Sequence, residues 1–119
     1  MSYQDVKNKL YRGHRKIVNN TYLELWEKPD YGDEWIDMRL HGNLVAEFRP
    51  NYLKLYSAGW HSVTTKSRLN LALKLAGIYT KCIFQQDWVW YYGNYNPNAT
   101  KFKDGMKISY KGLVLDHVS

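Results

Sequence analysis

The first half of the chain alternates apolar and polar residues with the period of a β-strand. In Thr21-Tyr22-Leu23-Glu24-Leu25-Trp26-Glu27 the leucines point one way and Tyr22, Glu24 and Trp26 the other. That is a strand with one buried face. Ahead of it, Ser2 caps a short predicted helix with Tyr3, Val6 and Leu10 on one side, ended by Gly13. Alternation begins at Ile17. Residues 27–34, with Pro29 and Gly32, read as a loop.

Residues 35–57 can be read for register. A three-residue loop at His41-Gly42-Asn43 sets Leu40 against Leu44, Met38 against Ala46 and Ile36 against Phe48, all apolar pairs. A two-residue loop at Gly42-Asn43 would set Met38 against Glu47, so the hydrophobic pattern selects the first register. Pro50 excludes a turn that needs positive φ at that position. A four-residue loop then places Phe48 near Leu53, Glu47 near Lys54 and Ala46 near Leu55. The result is a three-stranded meander with one apolar face.

A helix from about Thr64 or Thr65 to Ala76 supplies the cover. Its stripe is Leu69, Ala72, Leu73 and Ala76, widened by Leu71 and Leu75, with Gly77 as terminator. Residues 78–84 and 88–92 read as a second hairpin around Gln85-Gln86-Asp87. Residues 93–101 read as an Asn-rich loop. Asp104-Gly105 is a turn, and residues 107–115 add a last strand or two. The expected fold is one α+β domain over residues 1–119. It has an antiparallel sheet of five to seven strands, one main helix packed on it and a short N-terminal helix.

Composition sharpens this picture in two places. The 119 residues include 11 Tyr and 5 Trp, more rings than one small core needs, so some should lie on the surface. Cys82 is the only cysteine, which rules out an internal disulfide and fits a reducing cytoplasm. The apolar runs are too short to span a bilayer as helices.

The net charge of +6 is unevenly spread. Residues 1–16 carry five bases against Asp5, residues 17–37 six acids against Lys28, and the remainder eleven bases against four acids. A basic surface attracts nucleic acid, anionic membrane or an acidic protein.

Candidate chemistry is sparse. The acidic stretch from Asp30 to Asp37 lacks the spacing of a calcium loop and reads as solvated. His14, His41, His61 and His117 have no metal-ligand spacing, and Cys82 lies in an apolar strand. No nucleophile–base pair, phosphate loop or cofactor motif is present. The expectation is therefore a protein that is not an enzyme and uses no cofactor.

The outer face of the meander is more informative. It carries Trp35, Asp37, Arg39, Val45, Glu47, Arg49, Tyr52, Lys54 and Tyr56. Rings alternating with cations suit single-stranded nucleic acid, because bases stack on the rings and phosphates meet the cations. Ordinary strand packing also favours Tyr and Trp there, and Asp37 opposite Glu47 works against a phosphate partner. Lys66 and Arg68 sit at the predicted helix start, where free N–H groups attract anions. The candidate binding residues are thus Arg39, Arg49, Tyr52, Lys54, Tyr56, Lys66 and Arg68, for nucleic acid or for a protein partner.

Gly42-Asn43-Leu44-Val45-Ala46, then Gly59-Trp60 and Thr64-Thr65-Lys66-Ser67-Arg68-Leu69-Asn70, resembles a pattern in small tailed-bacteriophage proteins. Those proteins carry an HGN hairpin followed by GW-x-x-x-TTK-x-R-[LI]-N. The resemblance covers roughly residues 39–76. It implies a viral origin and residence in the host cytoplasm, and it transfers no catalytic residue. Two functions follow as expectations: an accessory protein that binds nucleic acid, or a protein inhibitor of a host enzyme or defence complex.

Overall fold

The computed structural model describes residues 2–59, 61–94 and 99–115. The fold is α+β. A short helix α1 (Tyr3–Lys7) is followed by strands β1 (His14–Val18), β2 (Thr21–Lys28), β3 (Asp33–Leu40), β4 (Asn43–Phe48) and β5 (Tyr52–Leu55). After the main helix α2 (Val63–Leu75) come β6 (Cys82–Gln86), β7 (Val89–Gly93), β8 (Thr100–Lys101), β9 (Met106–Ser109) and β10 (Val114–Leu115). Among the described residues the strands form two antiparallel sheets. One has seven strands in the order β1-β2-β3-β4-β5-β9-β10, and the other three in the order β6-β7-β8.

The inner face of the large sheet follows the hydrophobic alternation. Leu23, Ile36, Met38, Ala46, Phe48, Leu53 and Leu55 are buried there in one core with Leu69, Ala72 and Leu73 of α2. Val6 of α1, and Ile83, Trp90 and Tyr92 of the small sheet, belong to the same core. Leu73 marks the end of α2 in a second way. The Ile78 N–H donates to its carbonyl (2.8 Å) and the Gly77 N–H to that of Lys74 (2.9 Å). With Gly77 at φ +87° this is a Schellman cap.

The β4–β5 register is the one the apolar pattern selects: Phe48 opposite Leu53, Glu47 opposite Lys54, Ala46 opposite Leu55. The β3–β4 hairpin keeps Ile36 with Phe48 and Met38 with Ala46 but differs at its tip. The loop has two residues, His41 (φ +52°) and Gly42 (φ +80°). That left-handed pair matches the strand twist better than a longer loop. Leu40 therefore faces Asn43 and Arg39 faces Leu44, and a bulge at Val45 restores the inner-face register from Ala46 onward. Val45 is consequently buried in the core and leaves the outer face.

Other boundaries move for similar reasons. α1 ends at Lys7, and a tight Tyr11–His14 turn with Arg12 and Gly13 at positive φ starts β1 three residues before Ile17. The loop after β2 is a single 3-10 turn, Pro29–Tyr31, closed by Gly32 at φ +64°. Strands β2 and β3 consequently pair along their full length. The α2 cap is Ser62, whose hydroxyl accepts from the Thr65 N–H at 3.1 Å, and not Thr64 or Thr65. The second hairpin turns at Asp87-Trp88, one position beyond the expected loop, and its first strand begins at Cys82. It forms a separate small sheet with Thr100–Lys101, two residues inside the expected loop. Residues 95–98 of that loop, and Trp60 of the GW pair, lie outside the described residues.

Candidate functional site

The outer face is organised by one cross-strand row. Consecutive pairings align His14, Glu24, Asp37, Glu47, Lys54 and Lys107 across β1, β2, β3, β4, β5 and β9. Acids occupy the middle and bases the two ends. Trp26 paired with Trp35, and Tyr52, lie on one side of this row, and Tyr22 and Arg39 on the other. The loop expected over residues 27–34 concealed the β2–β3 register, so the place of Glu24 and Trp26 in this face was not read. Their alternation with Leu23 and Leu25 was the available signal.

The two acids at the centre are deeply covered, with Asp37 5% and Glu47 9% exposed. Each is held by an arginine. Arg49 Nε meets Glu47 Oε2 at 2.7 Å, its Nη1 lies 3.3 Å from Asp33, and its guanidinium sits 4.3 Å over the Trp35 ring. Arg39 Nη2 meets Asp37 Oδ2 at 3.1 Å, and its Nη1 donates to the Gly42 carbonyl at 3.2 Å. Burial is the largest single influence on Arg49 and pulls against its charge, but the Glu47 hydrogen bond and the charges of Glu47 and Asp33 together outweigh it and hold the guanidinium pKa above its ordinary value.

Asp37 is satisfied through one oxygen only. Its Oδ1 is buried and has no hydrogen-bond partner among the described residues. Burial pushes its carboxyl pKa up, the Arg39 charge pulls it down, and Glu47 adds to the rise, so the net direction is upward. Tyr56 is also pushed up, by burial first and then by Glu47.

Of the seven candidate residues, the structure brings five onto this face: Arg39, Arg49, Tyr52, Lys54 and Tyr56. The two arginines are committed to carboxylates. Lys107 reaches over the Tyr52 ring at 4.9 Å. Lys66 and Arg68 belong to α2, in the layer covering the inner face, and do not continue the track.

Arg68 ties the helix to the β1–β2 turn, with Nε donating to Thr21 Oγ1 at 2.7 Å and Nη2 to the Asn19 carbonyl at 3.4 Å. Asn70 exchanges two hydrogen bonds with the Ile83 backbone, at 2.7 and 3.0 Å, and so pins α2 to the small sheet. Thr65 is buried at the cap and Leu69 in the core. The distinctive string from Thr64 to Asn70 is thus largely a set of ties between layers.

Basic side chains also collect at the β1 end of the outer face. An open cleft of about 500 Å³ is lined there by Tyr11, His14, Arg15, Lys16, Tyr22 and Arg39, among others. Tyr11 is 73% and Tyr22 50% exposed, and Arg12 lies over the Tyr11 ring. Sequence reading noted the basic N-terminal segment but had no register to join it to Tyr22 and Arg39.

Among the described residues no group of three or more His, Cys, Asp or Glu is placed to hold a metal ion, and no helix is long and apolar enough to cross a membrane. His61 stacks on Trp90 at 4.4 Å, and Cys82 is half-buried at the start of β6.

No curated protein and no solved structure matches the chain. The profile of the Kyanoviridae Gp96 protein matches residues 3–109, from the first residue of α1 to the last of β9. A match of that span takes in both helices, the outer face and the β1 cleft, and the chain belongs to the Kyanoviridae Gp96 family, a family of phage proteins.

Proposed function

We propose that this phage protein is a non-catalytic accessory factor of the host cytoplasm that binds single-stranded nucleic acid along the outer face, entering from the β1 cleft. The observation that carries the reading is the cleft itself. Two exposed tyrosine rings stand there beside His14, Arg15, Lys16 and Arg39, with Glu24 the one acid on its wall among the described residues. Rings offer stacking to any base, and Lys16 and Arg15 offer charge to the phosphates. Tyr52, Lys54, Lys107 and Tyr56 extend the same face toward its other basic end.

Fluorescence anisotropy with a labelled single-stranded oligonucleotide over a salt series tests this. Tyr22→Ala should remove about 1–3 kcal/mol of binding by lost stacking. Lys16→Ala should weaken binding and reduce the salt slope by about one. Absence of binding at low salt rejects the reading. It would promote a protein inhibitor of a host enzyme or defence complex. That second reading is favoured by Arg39 and Arg49, which are already bound to carboxylates beside the exposed Trp26 and Tyr22.

A further inference from the structure

Two of the left-handed hairpin tips, β3–β4 and β6–β7, are built differently. At the β3–β4 tip the second turn residue is Gly42, at φ +80°. At the β6–β7 tip the corresponding residue is Trp88, at φ +68° after Asp87 at φ +52°. A bulky residue is disfavoured in that conformation, where glycine is at ease. Trp88 is also 90% exposed, the most exposed large apolar side chain among the described residues. It therefore gains nothing from the fold in return for the strain, which points to a role outside its own chain.

The described residues also form a pocket that could receive such a ring. A pocket of about 310 Å³ opens beside the α2 N-terminus, lined by Leu40, Val45, Ala58, Ser62, Thr64 and Thr65 with the β3–β4 tip. Its size suits one aromatic group. No acid among the described residues lines it, and the helix N-terminus gives it a positive end, since the Ser62 hydroxyl satisfies only the Thr65 N–H. Asp87, next to Trp88, supplies the opposite charge. The tip itself, residues 85–89, carries no cation, so it is ill suited to phosphate or to an anionic membrane.

We infer that Trp88 of one copy enters the α2 pocket of another, with Asp87 facing the helix N-terminus. Tip and pocket are different surfaces, so the contact is head to tail and extends into chains unless it closes into a ring. It uses neither the outer face nor the β1 cleft, and stands independently of nucleic-acid binding. One inserted ring is a small contact, so association should rise with concentration rather than give a fixed dimer.

Sedimentation velocity of the full chain over a range of concentrations tests the inference. Two variants separate tip from pocket. Trp88→Gly removes the ring and relieves the positive φ, so the hairpin is kept. Thr64→Glu blocks the pocket and repels Asp87, while an acid in the first turn suits the helix. Circular dichroism verifies both folds, with Trp88→Asn as a second tip variant.

The wild type should associate with concentration, and each variant alone should sediment as a monomer. An equimolar mixture should form a complex that stops at two chains, because it contains one intact pocket and one intact tip. Wild-type protein that stays monomeric at every concentration overturns the inference. So does Trp88→Gly protein that associates like wild type, or a mixture that remains monomeric.

Discussion

The two faces of the large sheet are made by the same strands and are held by different forces. On the inner face, apolar side chains from β2, β3, β4, β5 and β9 meet the α2 stripe in a core that excludes water. On the outer face, carboxylates and guanidiniums alternate with rings, and the buried acids depend on specific partners. The inner face gains from any residue of the right size and apolarity. The outer face gains only if each buried polar atom keeps its partner, and Asp37 Oδ1 is the place among the described residues where one does not. A deletion inside should therefore cost in proportion to the volume lost. A deletion outside should cost according to what it leaves unpaired.

The largest effect should come from the inner face. Leu73→Ala should lower stability by about 2–5 kcal/mol, measured by urea unfolding. A change within about 0.5 kcal/mol, the range of a surface substitution, would show that α2 does not cover the sheet.

Arg49→Met is next. It keeps the apolar stem over Trp35 but strips Glu47 and Asp33 of their donor, and should cost about 1–3 kcal/mol. Adding Glu47→Gln should recover part of the loss, because the buried charge is then gone. If the double variant is as unstable as the sum of the singles, charge pairing is not what holds this face.

Asp37→Asn should have the smallest effect, and the opposite sign. The folded state raises the Asp37 pKa above its unfolded value, so between those two values the folded chain binds more protons. Wild-type stability from this group must then rise as pH falls through that window, and above it the group is a constant liability. Arg39, Glu47, Glu24 and Tyr56 face it. Glu34 runs the other way, since hydrogen bonds from Lys7 and Tyr3 depress its pKa, and it loses stability on acidification. Asp37→Asn should gain up to about 1 kcal/mol near neutral pH, by removing a buried charge of which one oxygen is left without a hydrogen bond. The difference from wild type should shrink as pH falls, read from thermal unfolding at several pH values. A difference that stays flat with pH would mean that Asp37 does not take up a proton on folding.

The inner face was legible because its information is one-dimensional. Alternation from Ile36 to Leu55 selects the register without knowledge of any partner, and the Leu69, Ala72, Leu73 stripe follows from helical spacing alone. The tip at His41-Gly42 was not, since a two-residue turn plus a bulge at Val45 yields the same inner pairs as a three-residue loop. Only the places of Leu44 and Val45 distinguish them. The outer face was half legible. The five meander residues were placed correctly, but charge pairing depends on neighbours across strands, and β2 and β1 had no assigned register. The roles of Arg68 and Asn70 were out of reach, because Thr21 lies 47 residues from Arg68 and the ties to Ile83 use backbone atoms.

The ties made by α2 carry a consequence for how kinship in this family is interpreted. A segment whose side chains brace one layer against another is constrained by architecture, whatever the exposed surface engages. Relatives that share the stretch from Thr65 to Asn70 inherit a scaffold through it. On the proposed readings, whether they also share a partner is recorded elsewhere, in Tyr11, Lys16, Tyr22 and Trp88. Those side chains brace no layer and are free to diverge while the scaffold is kept.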